Sequence, residues 1–205
     1  AGAEDLMQQI NPAAKYGAQI LSGATCDKGG ELSDAEKELD ERMLAAMEQV
    51  MRCYNEVGIT SITEREVDRN ILRRFRTLFD QGKRMVRVTL TFLGEMHNAA
   101  DVRRFIDQVG MKPREGDDWI RAGQLKIYVD CGIHWGTTYL REPYGPKRAA
   151  FYALDDPNFR GNIKYSMEEM AEVFAEGHKQ GWQMCCHVTG DAAVDRVLDA
   201  LEAAN

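Results

Sequence analysis

The sequence predicts an α/β protein with about four strand–helix units and parallel strands. Segments in which apolar residues recur every third or fourth position alternate along the chain with short strand-like runs. Parallel neighbours in a sheet need a long crossover, usually a helix, so this alternation favours a parallel sheet. The 205 residues are 44% hydrophobic, which is enough for a sizeable core. Four such units can form an open sheet or half of an eight-stranded barrel.

The elements follow one another as one helix and then four strand–helix units. Helical spacing predicts helices over residues 33–57, 66–81, 98–109, 166–180 and 190–205. Alternating or β-branched runs predict strands over residues 58–63, 84–93, 125–130 and 182–188. Two helices begin with capping-box sequences, Ser33-Asp34-Ala35-Glu36 and Ser166-Met167-Glu168-Glu169.

The chain divides into two regions. Residues 1–32 are rich in Gly and Ala, which predicts an irregular N-terminal segment. Residues 33–205 carry the strand–helix pattern and are predicted to form one domain. Residue 1 is not Met, and the chain ends inside a helical pattern with no stop signal. We therefore expect the domain to continue beyond both ends in a longer protein.

Composition argues against several classes of function. The chain has 26 Lys and Arg against 33 Asp and Glu, a net charge of −7, so no basic stripe is available for nucleic acid. No apolar run approaches the length of a membrane helix, and no signal-peptide pattern opens the chain. The 5 cysteines form no C-x-x-C pair, which favours free thiols in a reducing compartment. We expect a cytoplasmic protein without nucleic acid or membrane partners.

Two strands bring chemically active side chains to one face. In strand 125–130, Lys126 lies on the face opposite the apolar residues, and in strand 182–188, His187 does the same. In a barrel, that face lines the interior, and catalytic groups gather at the C-terminal ends of the strands. Two structural alternatives remain. Lys126 could pair with a carboxylate such as Asp130, and His187 could be a buried histidine with satisfied hydrogen bonds.

An ordered set of motifs over residues 40–205 is similar to a known family. The motifs are Gly58-Ile59-Thr60-Ser61-Ile62-Thr63, Leu125-Lys126-Ile127-Tyr128-Val129-Asp130, Glu142-Pro143-Tyr144, residues 181–194 and Asp199-Ala200-Leu201-Glu202. Together they resemble the amidohydrolase superfamily, and most closely amidohydrolase family 3, the branch that includes N-substituted formamide deformylase.

The resemblance implies a partial TIM (β/α)8 barrel and a hydrolase that depends on a divalent metal, with zinc expected. By this resemblance, Lys126 matches the family's carboxylated lysine and His187 its fifth-strand histidine. A lysine must be neutral to add carbon dioxide, burial favours the neutral amine, and neutral imidazole is a good zinc ligand. The metal would activate a water molecule to attack the carbonyl carbon of a small, non-peptide amide or formamide. The carbon–nitrogen bond of that substrate would then be hydrolysed.

The chain departs from the family pattern in its ligand set. None of its 4 histidines forms the His-x-His that the family places after its first strand. No sixth-strand histidine or eighth-strand aspartate follows, and the general base stays unassigned. The chain alone is therefore expected to be inactive and to bind catalytic metal weakly or not at all. Strand edges without neighbours would favour association into homo-oligomers.

The connection of about 35 residues from Cys131 to Tyr165 is predicted to cover the substrate. Its His134, Trp135 and Tyr144 are the candidate substrate-binding residues. The alternative for this connection is an ordinary excursion over the surface.

Two aspartates lie beside the candidate ligands in the sequence. Asp130 ends the strand of Lys126, and Asp191 follows the strand of His187. Residues behind metal ligands commonly orient them, so both aspartates are predicted to hold the ligands in place. Asp191 also lies at a helix start, where capping is the simpler role.

Two other functions remain open from the residues alone. The first is a complete, non-catalytic α/β domain that binds a small molecule or a partner. The second is a thiol-dependent enzyme that uses Cys185 or Cys131 as its nucleophile. Cys185 and Cys186 point to opposite faces of one strand, so they are poorly placed to chelate one metal together.

Overall fold

A computed structural model of the chain describes residues 34–204. The irregular segment predicted for residues 1–32 and the helix cap predicted at Ser33 lie outside the described residues. The described residues form two compact units, one helical and one built around a sheet.

The helical unit contains most of helix α1 (Asp34–Glu56) and all of helix α2 (Arg69–Asp80). Asp40 on α1 accepts hydrogen bonds from Arg73 Nη2 at 2.6 Å and from Arg74 Nε at 2.7 Å. Burial would raise the pKa of Asp40, but the hydrogen bonds and charges of both arginines outweigh it and lower that pKa. These three side chains tie the two helices together.

The second unit contains a sheet of four parallel strands. The strands are β1 (Ser61–Val67), β2 (Arg87–Leu93), β3 (Ile120–Tyr128) and β4 (Gln183–His187). The helices are α3 (Ala99–Val109), α4 (Gly145–Phe151), α5 (Met167–Lys179) and α6 (Asp191–Ala204), with a short 3-10 helix over Ile133–Trp135. Strand order follows chain order without a reversal, as in a (β/α)8 barrel and unlike a doubly wound sheet. The predicted α/β fold with parallel strands is confirmed, with the strand order of part of a barrel.

Helix α5 begins at the capping box that the sequence predicts. The Ser166 hydroxyl accepts a hydrogen bond from the Glu169 N–H at 3.1 Å, and the Glu169 carboxylate accepts one from the Ser166 N–H at 2.7 Å. Helix α3 begins at Asn98, whose side chain accepts a hydrogen bond from the Asp101 N–H at 3.0 Å. These caps satisfy N–H groups that have no partner within their helices, and they set where both helices start.

Strands β1 and β3 have other bounds than their sequence patterns predict: β1 covers Ser61–Val67 instead of residues 58–63, and β3 covers Ile120–Tyr128 instead of residues 125–130. β1 continues through Val67 in a polar stretch that pairs with β2 around a bulge between Glu64 and Val67. β3 begins at Ile120, well before the apolar alternation starts. Gly123 on β3 marks a close approach to β2, because a Cβ at this position would collide with Thr89 Cγ2. Backbone pairing with β2, rather than an apolar pattern, holds both extensions.

The apolar faces of the strands form the core of this unit. Leu90 and Phe92 on β2 and Leu125 and Ile127 on β3 are at most 4% exposed. Trp182, directly before β4, is 1% exposed and meets the Phe92 ring edge-on at 6.0 Å. Helix α5 contacts β4, α3 and α6. The apolar alternation in the sequence therefore identifies the face of the sheet that is buried.

None of the described helices resembles a membrane span. Across residues 34–204, no helix combines the length and the apolar character needed to cross a bilayer.

Truncating the core of the sheet should destabilise the chain strongly. Leu125→Ala removes a side chain that is 0% exposed, so we expect the free energy of unfolding to fall by about 2–5 kcal/mol. Leu198→Ala, the same change at a side chain that is 55% exposed on α6, should cost about 0.5 kcal/mol or less. Equilibrium urea unfolding followed by circular dichroism measures both changes. Equal losses in the two variants would contradict this placement of the core.

Candidate functional site

The second face of the sheet, termed the polar face, carries Thr91, Gln124, Lys126, Tyr128, Cys185 and His187. In-register partners of parallel strands point to the same side. The register of β3 and β4 pairs Lys126 with Cys185 and Tyr128 with His187. Thr91 Oγ1 donates a hydrogen bond to Gln124 Oε1 at 2.6 Å on the same face. Lys126 and His187 therefore share one face, near the C-terminal ends of neighbouring strands.

Lys126 is buried on the polar face, with 7% of its surface exposed. Its Nζ lies 4.4 Å from the centroid of the Tyr128 ring, in a cation–π contact. Among residues 34–204, no carboxylate forms an ion pair with this amine, and the pairing with Asp130 left open by the sequence does not form. A buried amine without an anionic partner is available for a ligand or for covalent modification.

Tyr128 lies between the two candidate ligands. Its ring centroid is 4.9 Å from that of His187, and its hydroxyl donates a hydrogen bond to Glu66 Oε2 at 3.0 Å. Burial, the hydrogen bond to Glu66 and the charge of Glu66 all raise the pKa of Tyr128, so the hydroxyl stays protonated. The ring is thereby held in one orientation, with Lys126 above it and His187 beside it.

Asp130 is fully buried just after β3 and accepts four hydrogen bonds. Its Oδ1 accepts the Thr189 N–H and the Thr189 hydroxyl, both at 3.0 Å. Its Oδ2 accepts the Gly190 N–H at 2.7 Å and the Tyr139 N–H at 3.3 Å. The carboxylate therefore joins three segments, which are the end of β3, the turn after β4 and the long connection.

Asp191 opens α6 and holds the long connection. Its Oδ1 accepts hydrogen bonds from the Arg141 N–H at 2.9 Å and the Ala192 N–H at 2.8 Å. The bond from Arg141 is the largest of the effects that lower the pKa of Asp191. The Arg141 guanidinium also binds both oxygens of Asp195, at 2.5 and 2.6 Å. These contacts serve the docking of the connection on α6, and none of them reaches His187.

The three candidate substrate-binding residues lie in different environments. Tyr144 is 6% exposed, and its hydroxyl is hydrogen-bonded to Thr138 Oγ1 at 2.8 Å. Trp135 is 75% exposed, and His134 is exposed beside it in the short 3-10 helix after β3. Tyr144 therefore holds the connection together, whereas Trp135 and His134 face solvent. Contact of these residues with a substrate stays a prediction.

Two polar side chains near the site could not be predicted from the sequence. Glu66, which binds the Tyr128 hydroxyl, lies beyond residue 63, where the strand pattern ends. Arg65, in the same bulged stretch, places Nη2 3.2 Å from Cys185 Sγ. The stretch mixes two glutamates with an arginine and shows no alternation, so only its pairing with β2 reveals it as a strand.

Burial weighs against a thiol nucleophile on β4. Burial raises the pKa of Cys185, although the charges of Arg65 and Lys126 oppose that shift. Burial, with smaller contributions from Cys185 and Asp130, raises the pKa of Cys186 to about 11. At neutral pH both groups are thiols rather than the nucleophilic thiolates. The thiol-dependent alternative therefore loses support at Cys185.

The described residues do not form a metal centre of His, Cys, Asp and Glu side chains. Across residues 34–204, no three His, Cys, Asp or Glu side chains converge as metal ligands would. Structural and catalytic zinc sites use three or four protein ligands. Lys126 and His187 by themselves would therefore leave a zinc ion short of ligands.

A cavity of about 230 Å³ lies at the other end of the strands. It is lined by Ser61 and Arg87, which begin β1 and β2, and by Thr89, Asp117 and Arg121, among others. No predicted site residue lines it. Catalytic groups of barrel enzymes lie at the C-terminal ends of the strands, so this cavity does not mark the candidate site.

The raised pKa values predict slow and strongly pH-dependent alkylation of the β4 cysteines. With a pKa of about 11, Cys186 should react with iodoacetamide about tenfold faster for each unit of rising pH around neutrality. Among the cysteines of residues 34–204, exposed Cys53 should be modified first. Peptide mass spectrometry after timed labelling at several pH values measures each site. Rapid labelling of Cys185 at neutral pH would restore the thiol-dependent alternative at that residue.

Comparison with known proteins finds one family. The model of the amidohydrolase family matches residues 11–205 of the chain. Over 84 residues, or 41% of its length, the chain is 27% identical to YtcJ of Bacillus subtilis (strain 168), whose name places it among the amidohydrolases. The matched stretch is 14% of that protein.

Two crystal structures of uncharacterized metal-dependent hydrolases have the same fold. The chain superposes on the hydrolase from Pyrococcus furiosus with a TM-score of 0.65 and 21% identity, covering 95% of this chain and 36% of that one. For the hydrolase from Pyrococcus horikoshii OT3, the TM-score is 0.61 and the identity 20%, covering 80% of this chain and 30% of that one. The chain thus spans about a third of the length of these two hydrolases. Because the family model matches almost all of its residues, the chain belongs to the amidohydrolase family.

Proposed function

We propose that this chain is the part of a metal-dependent amidohydrolase that supplies two metal ligands, Lys126 and His187. The observation that carries the proposal is the register of β3 and β4, which sets both side chains on one face with the Tyr128 ring in contact with each. Family membership supports hydrolysis. The two structural neighbours are described as metal-dependent hydrolases, which supports a metal in this chain as well.

The proposed reaction is hydrolysis of a carbon–nitrogen bond in a small, non-peptide amide or formamide. The sequence motifs resemble the formamide deformylase branch of the family, which is the basis for this substrate class. A divalent metal, zinc in our proposal, polarises the substrate carbonyl and lowers the pKa of water when it is bound. Holding the metal and contacting the substrate are the roles proposed for side chains of the protein.

Lys126 is proposed to act as a carbamate. Its neutral amine would add carbon dioxide, forming a nitrogen–carbon bond and releasing one proton from the nitrogen. The product is a carboxylate, an oxygen ligand suited to divalent cations. The burial of Lys126 and the lack of an ion-pair partner among the described residues support this role.

His187 is proposed to supply an imidazole nitrogen. Neutral imidazole and oxygen ligands are both accepted by zinc, so the two side chains fit such a metal. Tyr128, held by Glu66, places its ring against both the His187 ring and the Lys126 amine. Trp135 and His134 are the exposed candidates for substrate contact, and Tyr144 keeps the connection folded.

We propose that the chain alone is inactive. Two ligands do not complete a catalytic metal site, and within residues 34–204 no three His, Cys, Asp or Glu side chains gather as a metal site would require. Strands β1 and β4 are the edges of the sheet, and each leaves backbone groups open to pairing. We propose that these edges pair with other parts of the enzyme or with a second copy. The proposed binding partner is a small amide-like substrate, and we propose no nucleic-acid or membrane partner. The proposed location of the protein is the cytoplasm.

Replacing the lysine tests the proposal. Lys126→Ala in the full-length protein should lower the bound metal at least about tenfold, because a ligand is lost, and added bicarbonate should not restore it. Inductively coupled plasma mass spectrometry measures metal per protein. Lys164→Ala is the matched control, because Lys164 Nζ also lies over the Tyr128 ring, at 5.5 Å, but belongs to the long connection. The control should keep its metal. Unchanged metal content and activity in Lys126→Ala would refute the ligand role.

A further inference from the structure

The turn after β4 contains a hydroxyl group whose single proton has two competing acceptors. Thr189 Oγ1 lies 3.0 Å from Asp130 Oδ1 and 3.0 Å from the carbonyl oxygen of Cys131. Each oxygen of Asp130 also accepts a backbone N–H bond, and the Thr189 hydroxyl is the donor in its contacts with Asp130 Oδ1 and with the Cys131 carbonyl. A hydroxyl has one proton and two lone pairs. The Thr189 proton is therefore directed at Asp130 or Cys131, and a lone pair is left on its other side.

The ring of His187 lies beside this hydroxyl. Nε2 of His187 lies 3.5 Å from Thr189 Oγ1, at the outer limit of a hydrogen bond. Because the hydroxyl acts there as an acceptor, a hydrogen bond requires a proton on Nε2. A neutral imidazole carries only one ring proton, so Nδ1 keeps its lone pair. A metal binds the nitrogen that carries no proton.

The position of the hydroxyl is itself fixed by buried contacts. Asp130, which is 0% exposed, binds the N–H groups of Thr189 and Gly190, so the backbone of the turn cannot move without breaking these bonds. At Gly190, a Cβ would collide with the carbonyl of Tyr139. The turn is thus pressed against the long connection, and Thr189 has little freedom to turn its hydroxyl away.

We propose that Thr189, held by Asp130, is a positioning residue that sets the tautomer of His187, with the proton on Nε2 and Nδ1 open to the metal. The inference deepens the proposed function, because it relies on that function for the metal. The tautomer itself is a property of the metal-free protein and can be measured without activity. In this proposal, Asp130 influences His187 by holding Thr189 in place. It has no role in positioning Lys126.

Nuclear magnetic resonance of the histidine rings tests the proposal. The protein is labelled with 15N in its histidine rings, and spectra that correlate ring nitrogens with ring protons are recorded without metal. A pH of about 8.5 keeps an ordinary imidazole neutral. His187→Asn identifies the signals of His187 by their loss. We expect the form protonated on Nε2 to predominate in the unsubstituted protein.

Variants at Thr189 then separate positioning from folding. Thr189→Val keeps the shape but removes the hydroxyl, and it should lower the ratio of the Nε2–H to the Nδ1–H form about fivefold, the effect of one hydrogen bond. Thr189→Ser should restore the ratio. Thr137→Val is the matched control, because the Thr137 hydroxyl donates to the Gly132 carbonyl, at 3.4 Å, and the ratio should not change.

Two results would overturn the proposal. One is an unsubstituted protein in which His187 is protonated on Nδ1. The other is a ratio that stays the same in Thr189→Val, or in Thr189→Ala where the valine variant does not fold. Both results would leave the proposed function standing, because the metal content of the Lys126→Ala variant decides that function separately.

Discussion

The in-register pairing of β3 with β4 is the constraint on which the rest of the site depends. Side chains alternate between the two faces of a strand, so a shift of one residue in this pairing would turn one candidate ligand toward the core. The shift is opposed by the burial of Leu125 and Ile127, both 0% exposed. The pattern that builds the core therefore also brings Lys126 and His187 to the same face.

A single buried carboxylate connects this sheet to its loops. Asp130 binds the turn after β4 and the start of the long connection, so three segments at the C-terminal ends of the strands share one anchor. Arg141 adds a second attachment on α6 through Asp191 and Asp195. The connection is thus held at Tyr139 and Arg141, while the side chain of Trp135, which lies closer to β3 in the chain, remains exposed. Fixed attachment points together with an exposed aromatic side chain are what the proposed contact between this connection and a substrate would require.

Local patterns in the sequence were sufficient for the parallel fold and for the polar face of β3 and β4. The capping box at Ser166 was predicted because its two hydrogen bonds join residues three apart. Glu66 was not predicted, because its strand is held by pairing with β2 and not by alternation. The contact of Thr189 with Asp130 joins residues 59 apart, so it depends on how β3 and β4 assemble. Short-range signals thus identified the candidate ligands and Asp130, whereas the contacts that Asp130 makes with Thr189 required the structure.

Diffraction at the zinc absorption edge, from crystals of the full-length protein loaded with zinc, tests the central claim most directly. We expect an anomalous peak about 2.0–2.1 Å from a ring nitrogen of His187, and density for a carbamate on Lys126 Nζ that contacts the same peak. A peak bound to neither residue, with Lys126 an unmodified amine over the Tyr128 ring, would contradict it.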